Sequence, residues 1–358
     1  MIIISLLIQI IKDLFEYLIK PTTGFFKLKE DGRDLLFHLG ILRGVKITDG
    51  DVKNEGKICV FASYQPSGIN PLLLYYIKYL KEVMGFAIIF TSNCKLSAED
   101  KEKLKVYTYK IVERANVGRD IGSYKWGILH FEKEIKNAKL FLLTNDSVYG
   151  PIKDLTRITK VMEEEGYDYI SETMSDSLTF GKHPCSYFIL MNSKIINSEA
   201  FWNFWKNKLQ YKSSRKYVIR RGEVKFGMVF SQFYGGSLIA LNDYVNAISN
   251  LDKQQSKRIY LSNKRDYLFK IDNICNIQDS LAVRSMHPSD LPIIALSVGH
   301  VFIKKDWVKK AIIADVLIDE IKKNTFSTDI DKNLVIKQIT KDSFLDKKTM
   351  KLIKKVLL

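Results

Sequence analysis

The strongest constraint on this chain's fold is a series of short apolar runs that do not alternate with polar residues. Lys57-Ile-Cys-Val-Phe-Ala-Ser63, Phe86-Ala-Ile-Ile-Phe-Thr91, Val106-Tyr-Thr-Tyr-Lys-Ile-Val112 and Leu140-Phe-Leu-Leu-Thr144 are five to seven residues long. Runs of that length and composition suit strands covered on both faces. The intervening segments have a helical period. Pro66-Ser-Gly-Ile-Asn-Pro71 opens a helix over Leu72 to Met84, with Pro71 suited to its first position and Gly85 to its end. Ser97 caps a helix through Lys103, and Tyr124 to Ile135 has helical spacing. A helix over 154–165 and a strand at Tyr167 to Ser171 continue the pattern. Strand, helix and parallel strand in succession imply right-handed crossovers. The expected fold class is α/β, a mostly parallel, Rossmann-related sheet flanked by helices. Ligands of such sheets bind beyond the carboxyl ends of the strands.

Two loops fall at those ends. Asn116-Val-Gly-Arg-Asp-Ile-Gly-Ser-Tyr124 has glycines beside a basic residue, and Leu142-Leu-Thr-Asn-Asp-Ser-Val-Tyr-Gly-Pro151 puts Asp146 at the tip of a buried run. The first is neither a Walker A loop nor a GxGxxG fingerprint. Gly118 would let a phosphate approach the backbone, Arg119 would neutralise it, and Asp120 would accept from a sugar hydroxyl. The plain alternative is a loop-to-helix start capped by Asp120. Asp146, between Asn145 and Ser147, could hold a divalent cation (Mg²⁺ or Mn²⁺) on a diphosphate. The alternative is a turn in which these side chains bond the local backbone. Ser63-Tyr64-Gln65 follows the first strand, where a base or ribose could sit, or where an ordinary loop could run. Glu223 reads as the start of a helix over Glu223 to Tyr234, ended by Gly235-Gly236. Its carboxylate could act as general base, or simply favour the helix dipole.

The chain has 358 residues, 46% of them hydrophobic, and a net charge of +16. A packed core is expected, and the charge calls for an anionic partner or serves solubility. Nucleic acid is not expected, because no zinc finger, RRM signature or interleaved basic-aromatic strand motif is present. Cys59, Cys94, Cys185 and Cys275 lack CxxC spacing, so reduced thiols and a cytoplasmic location are expected. His183, His287 and His300 show no ligand spacing and read as structural or surface residues, and Trp202 and Trp205 read as core. Residues 1–20 read as an amphipathic helix ended by Pro21, which either packs on the body or touches a membrane. The lysine-rich segment Asp346 to Leu358 allows the same two readings. Peripheral contact at the inner face of the plasma membrane would follow from the second. The expected layout is an N-terminal helical extension over 1–56, a core over 57–250 and a mainly helical C-terminal extension over 251–358.

The two central loops resemble the rhamnan synthesis protein F family of bacterial polysaccharide glycosyltransferases. The resemblance runs over about 57–310 and takes in Ser186-Tyr-Phe-Ile-Leu190 and Gly299-His-Val-Phe-Ile-Lys304. It implies a GT-A-like fold and transfer of a sugar, often rhamnose, from a nucleotide-sugar donor to a growing glycan or lipid-linked acceptor. By this likeness Asn116, Gly118, Arg119 and Asp120 would line the donor pocket, with Ser63 and Tyr64 beside them. Asn145-Asp146-Ser147 would stand where related enzymes carry an Asp-x-Asp metal motif, but with a single carboxylate. Glu223 would fall near the position of an inverting enzyme's base.

Overall fold

The computed structural model describes residues 2–19, 21–177, 181–240, 243–244, 246–247, 292–308, 311–323 and 326–343. Cys275, His287 and the terminal lysine-rich helix expected over 346–357 lie outside the described residues. The chain runs α1 (Ile2–Ile19), α2 (Pro21–His38), β1 (Val45–Asp49), β2 (Lys57–Ser63), α3 (Pro71–Glu82), β3 (Ala87–Ser92), α4 (Ala98–Lys105) and β4 (Lys110–Arg114). It continues through α5 (Arg119–His130), α6 (Glu132–Lys136), β5 (Leu140–Asn145), β6 (Val148–Tyr149), α7 (Arg157–Glu164), β7 (Tyr169–Ser177) and β8 (Gly181–Pro184). Next come β9 (Phe188–Asn192), α8 (Ser193–Ile196), α9 (Glu199–Asn203), α10 (Arg215–Tyr217), α11 (Lys225–Phe230) and β10 (Gly235–Ile239). The last elements are α12 (Pro292–Ser297), β11 (Ile303–Lys304), α13 (Lys305–Val308), α14 (Ala311–Lys323) and α15 (Lys332–Asp342).

Two compact units result. The first comprises Met1–Asn70, Ile77–Asp146 and Ser186–Gly235. Its strands lie in the order β1-β4-β3-β2-β5-β9. β4, β3, β2 and β5 are mutually parallel, and β1 and β9 flank them antiparallel. The expected α/β class is therefore present. From β2 the chain moves outward to β3 and β4, then returns to the other side of β2 as β5. The direction of winding reverses between β2 and β5, which makes that pair the topological switch point of the sheet.

The central strands are buried, and α5 packs on β2 and β3. Ile58 to Ala62 of β2 are wholly inaccessible to solvent. Gly127 lets α5 lie directly on β2, since a Cβ there would stand 2.8 Å from Val60 Cγ1. Trp205 and Trp202 are core residues, as expected, and Trp202 Nε1 donates to the Ile196 carbonyl at 2.8 Å. Lys125 is buried without a carboxylate partner in its hydrogen bonds. Its ammonium donates to the carbonyls of Lys206 and Leu209 at 3.2 and 2.7 Å, where the helix running through Phe204–Lys208 ends.

The second unit comprises Pro71–Tyr76, Ser147–Cys185 and Gly236–Leu358. β7 and β8 form an antiparallel pair, as do β6 and β11. α14 and α15 bury Leu317, Ile321, Val335 and Ile339 against Tyr149 and Ile303. Glu172 sits inside this unit, 1% exposed. Its Oε1 accepts from the amides of Val301 and Phe302 at 2.6 and 2.9 Å. His300 is equally buried, pairs with Glu172 across 3.4 Å, and hydrogen-bonds the Tyr244 hydroxyl through Nε2. His183 is also buried, within β8.

Several boundaries differ from the sequence reading. β4 begins at Lys110 rather than Val106, because Val106 caps α4 and its amide bonds the Leu104 carbonyl. The helix carrying Glu223 begins at α10, passes through wide π-type turns over Val218–Val224 and ends with α11. Glu223 therefore sits inside a helical segment and does not open one. Gly235 and Gly236 begin β10 rather than cap a helix. Pro21 ends α1 but also opens α2, where its missing amide costs nothing.

Candidate functional site

The switch point carries the most densely bonded carboxylate of the two loops. β2 ends at Ser63 and β5 at Asn145, side by side, with Ala62 paired to Asn145. Asp146 follows immediately, and its amide bonds the Ala62 carbonyl at 3.1 Å. Its Oδ2 accepts from Ser63 Oγ at 2.8 Å, the Tyr64 amide at 2.8 Å and Gln65 Nε2 at 2.7 Å. All three bonds fall on one oxygen. Oδ1 of this half-buried side chain takes none of them. Gln65 is held in turn by Asn70 Nδ2, which donates to its Oε1 at 3.2 Å. The Tyr64 ring is 50% exposed beside this carboxylate. Ser63, Tyr64 and Asp146 are thus gathered in one place. Gln65, the last residue of the Ser63-Tyr64-Gln65 run that the sequence singled out, joins them there.

The second loop leads from β4 into α5. Gly118 takes φ +78°, a left-handed conformation that favours glycine, and Arg119 follows at φ +50°. A Cβ on Gly118 would stand 2.9 Å from Gly122 Cα, and one on Gly122 would stand 2.1 Å from the Val117 carbonyl oxygen. These glycines permit a tight backbone crossing. The Gly118 amide is already used, donating to Ser213 Oγ at 3.0 Å. Arg119 is likewise committed: its Nε donates to the Ser213 carbonyl at 2.6 Å and its Nη2 to Glu30 Oε1 at 2.5 Å. Asp120, in the first turn of α5, accepts from Asn145 Nδ2 at 3.0 Å. That bond joins the two loops through the side chains that the sequence singled out. Asn116 is half-buried at the mouth of the loop.

Buried groups that the motifs did not reveal hold this loop in place. Arg114 Nη1 donates to Asn93 Oδ1 at 2.7 Å and Ser123 Oγ at 3.2 Å, while Nη2 donates to the Val117 carbonyl at 2.8 Å. Burial pushes its guanidinium down to about 10. Asp34 of α2 accepts from the Ser213 amide and hydroxyl at 2.6 and 2.5 Å, and burial pushes its carboxyl above the usual range. Asp34, Asn93 and Ser213 are distant from this loop in sequence, and only folding brings them to it.

Glu223 reaches the same end of the sheet by a different route. Its Oε1 accepts from Ser186 Oγ. β9 pairs with β5 up to Phe188 opposite Thr144. Continuing that antiparallel register places Ser186 level with Asp146. The Ser186 carbonyl also accepts from Tyr124 of α5 at 2.9 Å. Gly222, one residue before Glu223, lies against Ile121 in the first turn of α5, where a Cβ would stand 2.8 Å from Ile121 Cγ1. Ser147 belongs to the second unit, and its carbonyl accepts from the Lys305 amide at 2.9 Å.

The residues present fit a cation only as a single-carboxylate site. Among the described residues no group of three or more His, Cys, Asp and Glu side chains converges to hold a metal. Asp146 Oδ1 is one available ligand, and Mg²⁺ is commonly held by one or two carboxylates together with substrate phosphates and water.

The chain is similar to known proteins. The chain is 30% identical over 214 residues to the uncharacterized protein y4gN of Sinorhizobium fredii (strain NBRC 101917 / NGR234). The match covers 58% of this chain and 55% of y4gN, so the chain spans about half the length of that relative. Residues 88–357, which include the Asn116 loop, Asp146 and Glu223, match the family described as rhamnan synthesis protein F. With its motifs set around the switch point of a mostly parallel sheet, the chain belongs to the rhamnan synthesis protein F family.

Proposed function

We propose that the chain is a glycosyltransferase that moves a sugar from a nucleotide-sugar donor to a growing cell-surface polysaccharide or lipid-linked glycan, at the inner face of the plasma membrane. One observation carries this reading. Asp146 lies at the switch point, bonded through Oδ2 to Ser63, Tyr64 and Gln65, with Oδ1 left to meet a ligand. Family membership supports it. The donor's base or ribose would lie on Tyr64, and Asn116, Asp120 and Asn145 would meet its hydroxyls.

The diphosphate would lie near the N-terminus of α5, whose first amides have no partner within the helix. Arg119 would act by holding that N-terminus through Glu30 and Ser213. A bound Mg²⁺ or Mn²⁺ would sit on Asp146 Oδ1 and offset charge on the departing diphosphate. In the reaction an acceptor hydroxyl loses its proton to Glu223, which Ser186 orients. Its oxygen then bonds to the anomeric carbon as the bond to the diphosphate breaks. Rhamnose is the sugar that the family's name favours.

A second reading, a binding module that does no chemistry, is favoured by the single carboxylate where a metal motif would carry more. A thermal-shift panel of nucleoside diphosphates and nucleotide sugars, with and without Mn²⁺, tests the donor site. One nucleotide should raise Tm, and Asp146→Ala should abolish that rise. No rise with any nucleotide would remove the donor-site assignment. A rise without sugar transfer to any glycan acceptor would favour the binding module.

A further inference from the structure

The α1–α2 hairpin buries three aspartates and turns most of the large apolar side chains of α1 outward. Leu6 and Asp13, seven residues apart on one face of α1, are its buried residues. Asp13 Oδ1 accepts from Gln9 at 2.9 Å. Asp31 and Asp34 of α2 are buried as well. The opposite face of α1 carries Ile4, Leu7, Ile11, Phe15 and Leu18 at helical spacing, all between 45% and 76% exposed. Phe25 and Phe26 at the start of α2 are exposed too. A helix in a globular protein normally turns such a stripe toward the core, and an exposed apolar stripe bordered by polar residues marks a contact surface.

The charge around the stripe is one-sided. The hairpin's five carboxylates are all buried or ion-paired. Asp13, Asp31 and Asp34 are buried, Glu16 pairs with Lys27 at 2.5 Å, and Glu30 pairs with Arg119. Lys12 and Lys29 stay exposed on the helices, and Arg43 and Lys46 stay exposed just beyond them. What remains outward is an apolar stripe among cations. A second copy facing it would set these cations against each other. A layer of anionic headgroups over acyl chains complements both properties. α1 is about 27 Å long at 1.5 Å per residue. No helix among the described residues is long and apolar enough to cross a membrane, so the stripe is suited to lie along a bilayer surface.

We propose that the α1–α2 hairpin docks on the surface of an anionic phospholipid bilayer, with Leu7, Ile11 and Phe15 at the acyl boundary and Lys12 and Lys29 among the headgroups. This inference does not depend on the donor site.

Flotation of the full chain with phosphatidylglycerol-containing vesicles, and with phosphatidylcholine vesicles alone, tests it. The chain should float with the first and far less with the second, and added salt should weaken the binding. Leu7→Gln combined with Ile11→Gln and Phe15→Gln should lower vesicle partitioning by about tenfold or more. Because these side chains are exposed, the variant should keep the wild-type circular dichroism and nucleotide-induced Tm rise. Lys12→Glu with Lys29→Glu should selectively reduce binding to anionic vesicles. Failure of the wild-type chain to float with anionic vesicles would overturn the proposal. So would a concentration-dependent dimer that the triple variant converts to a monomer, since the stripe would then be covered by a second copy.

Discussion

Single residues divide here into those proposed to meet a ligand and those that make a backbone path possible. Gly122 is of the second kind. A Cβ there would fall 2.1 Å from the Val117 carbonyl oxygen, and the loop cannot retreat, because Arg114 and Ser213 bond it from either side. Gly122→Ala should therefore destabilise the protein by roughly 2–4 kcal/mol through overpacking, read as a lower midpoint in urea. An unchanged midpoint would mean that the loop has room. The place of Asp146 was legible in the sequence because a polar side chain at the end of a buried run is conspicuous. The glycines were legible as special, but their role was not. The expected phosphate approach at Gly118 gives way to a tight turn whose amide is already bonded. Arg119 shows the same limit. An arginine beside glycines suggests a phosphate, yet its partner Glu30 lies 89 residues away and no local pattern reveals it.

At the scale of elements, the hairpin makes a pH-dependent contact. Burial pushes the Asp31 carboxyl up to about 7 from an ordinary 3.8, and the facing Asp13, Asp34 and Glu30 add to the shift. The folded hairpin thus binds a proton that the unfolded chain releases near pH 4. Its stabilising effect is complete below the ordinary value and is lost as pH rises through about 7. Tm should fall between pH 5 and pH 8, and Asp31→Asn, neutral throughout, should flatten most of that slope. Asp34, shifted in the same direction, would contribute a remainder. A slope equal in wild type and variant would place the titration elsewhere. α2 was expected only as part of a helical extension over 1–56, and its bounds were hidden because Asp31 and Asp34, at buried positions, invert the usual apolar period. β2, β3 and β5 were legible because strands covered on both faces need unbroken apolar runs.

On the whole-molecule scale, the net charge of +16 suits solubility or an anionic partner and does not say which partner. The proposed partners are a diphosphate at the switch point and anionic lipid at the hairpin. A gel shift with single- or double-stranded DNA should show no retarded complex at micromolar protein and physiological salt. A salt-sensitive complex there would assign the charge to nucleic acid instead. The α/β class and the crossover pattern needed no tertiary information, because strand–helix alternation with buried runs has few other solutions. The sheet's order was a different matter. β5 lies beside β2 rather than beyond β4, and side-chain period says nothing about which strand neighbours which.

The sequence by itself determined that the chain forms a helix-covered parallel sheet, and that its polar loops fall at the carboxyl ends of the strands. Both follow from local periodicity and from the cost of burying unpaired polar groups. Only the tertiary structure decided which of those loops meet. It set Asp146 against Ser63, brought Glu223 to Ser186 and Asn145 to Asp120, and drew Arg119 to Glu30. The reason is physical. Hydrogen bonds between residues far apart in sequence depend on strand order and helix packing, which the summed burial of the whole core selects and no short stretch encodes.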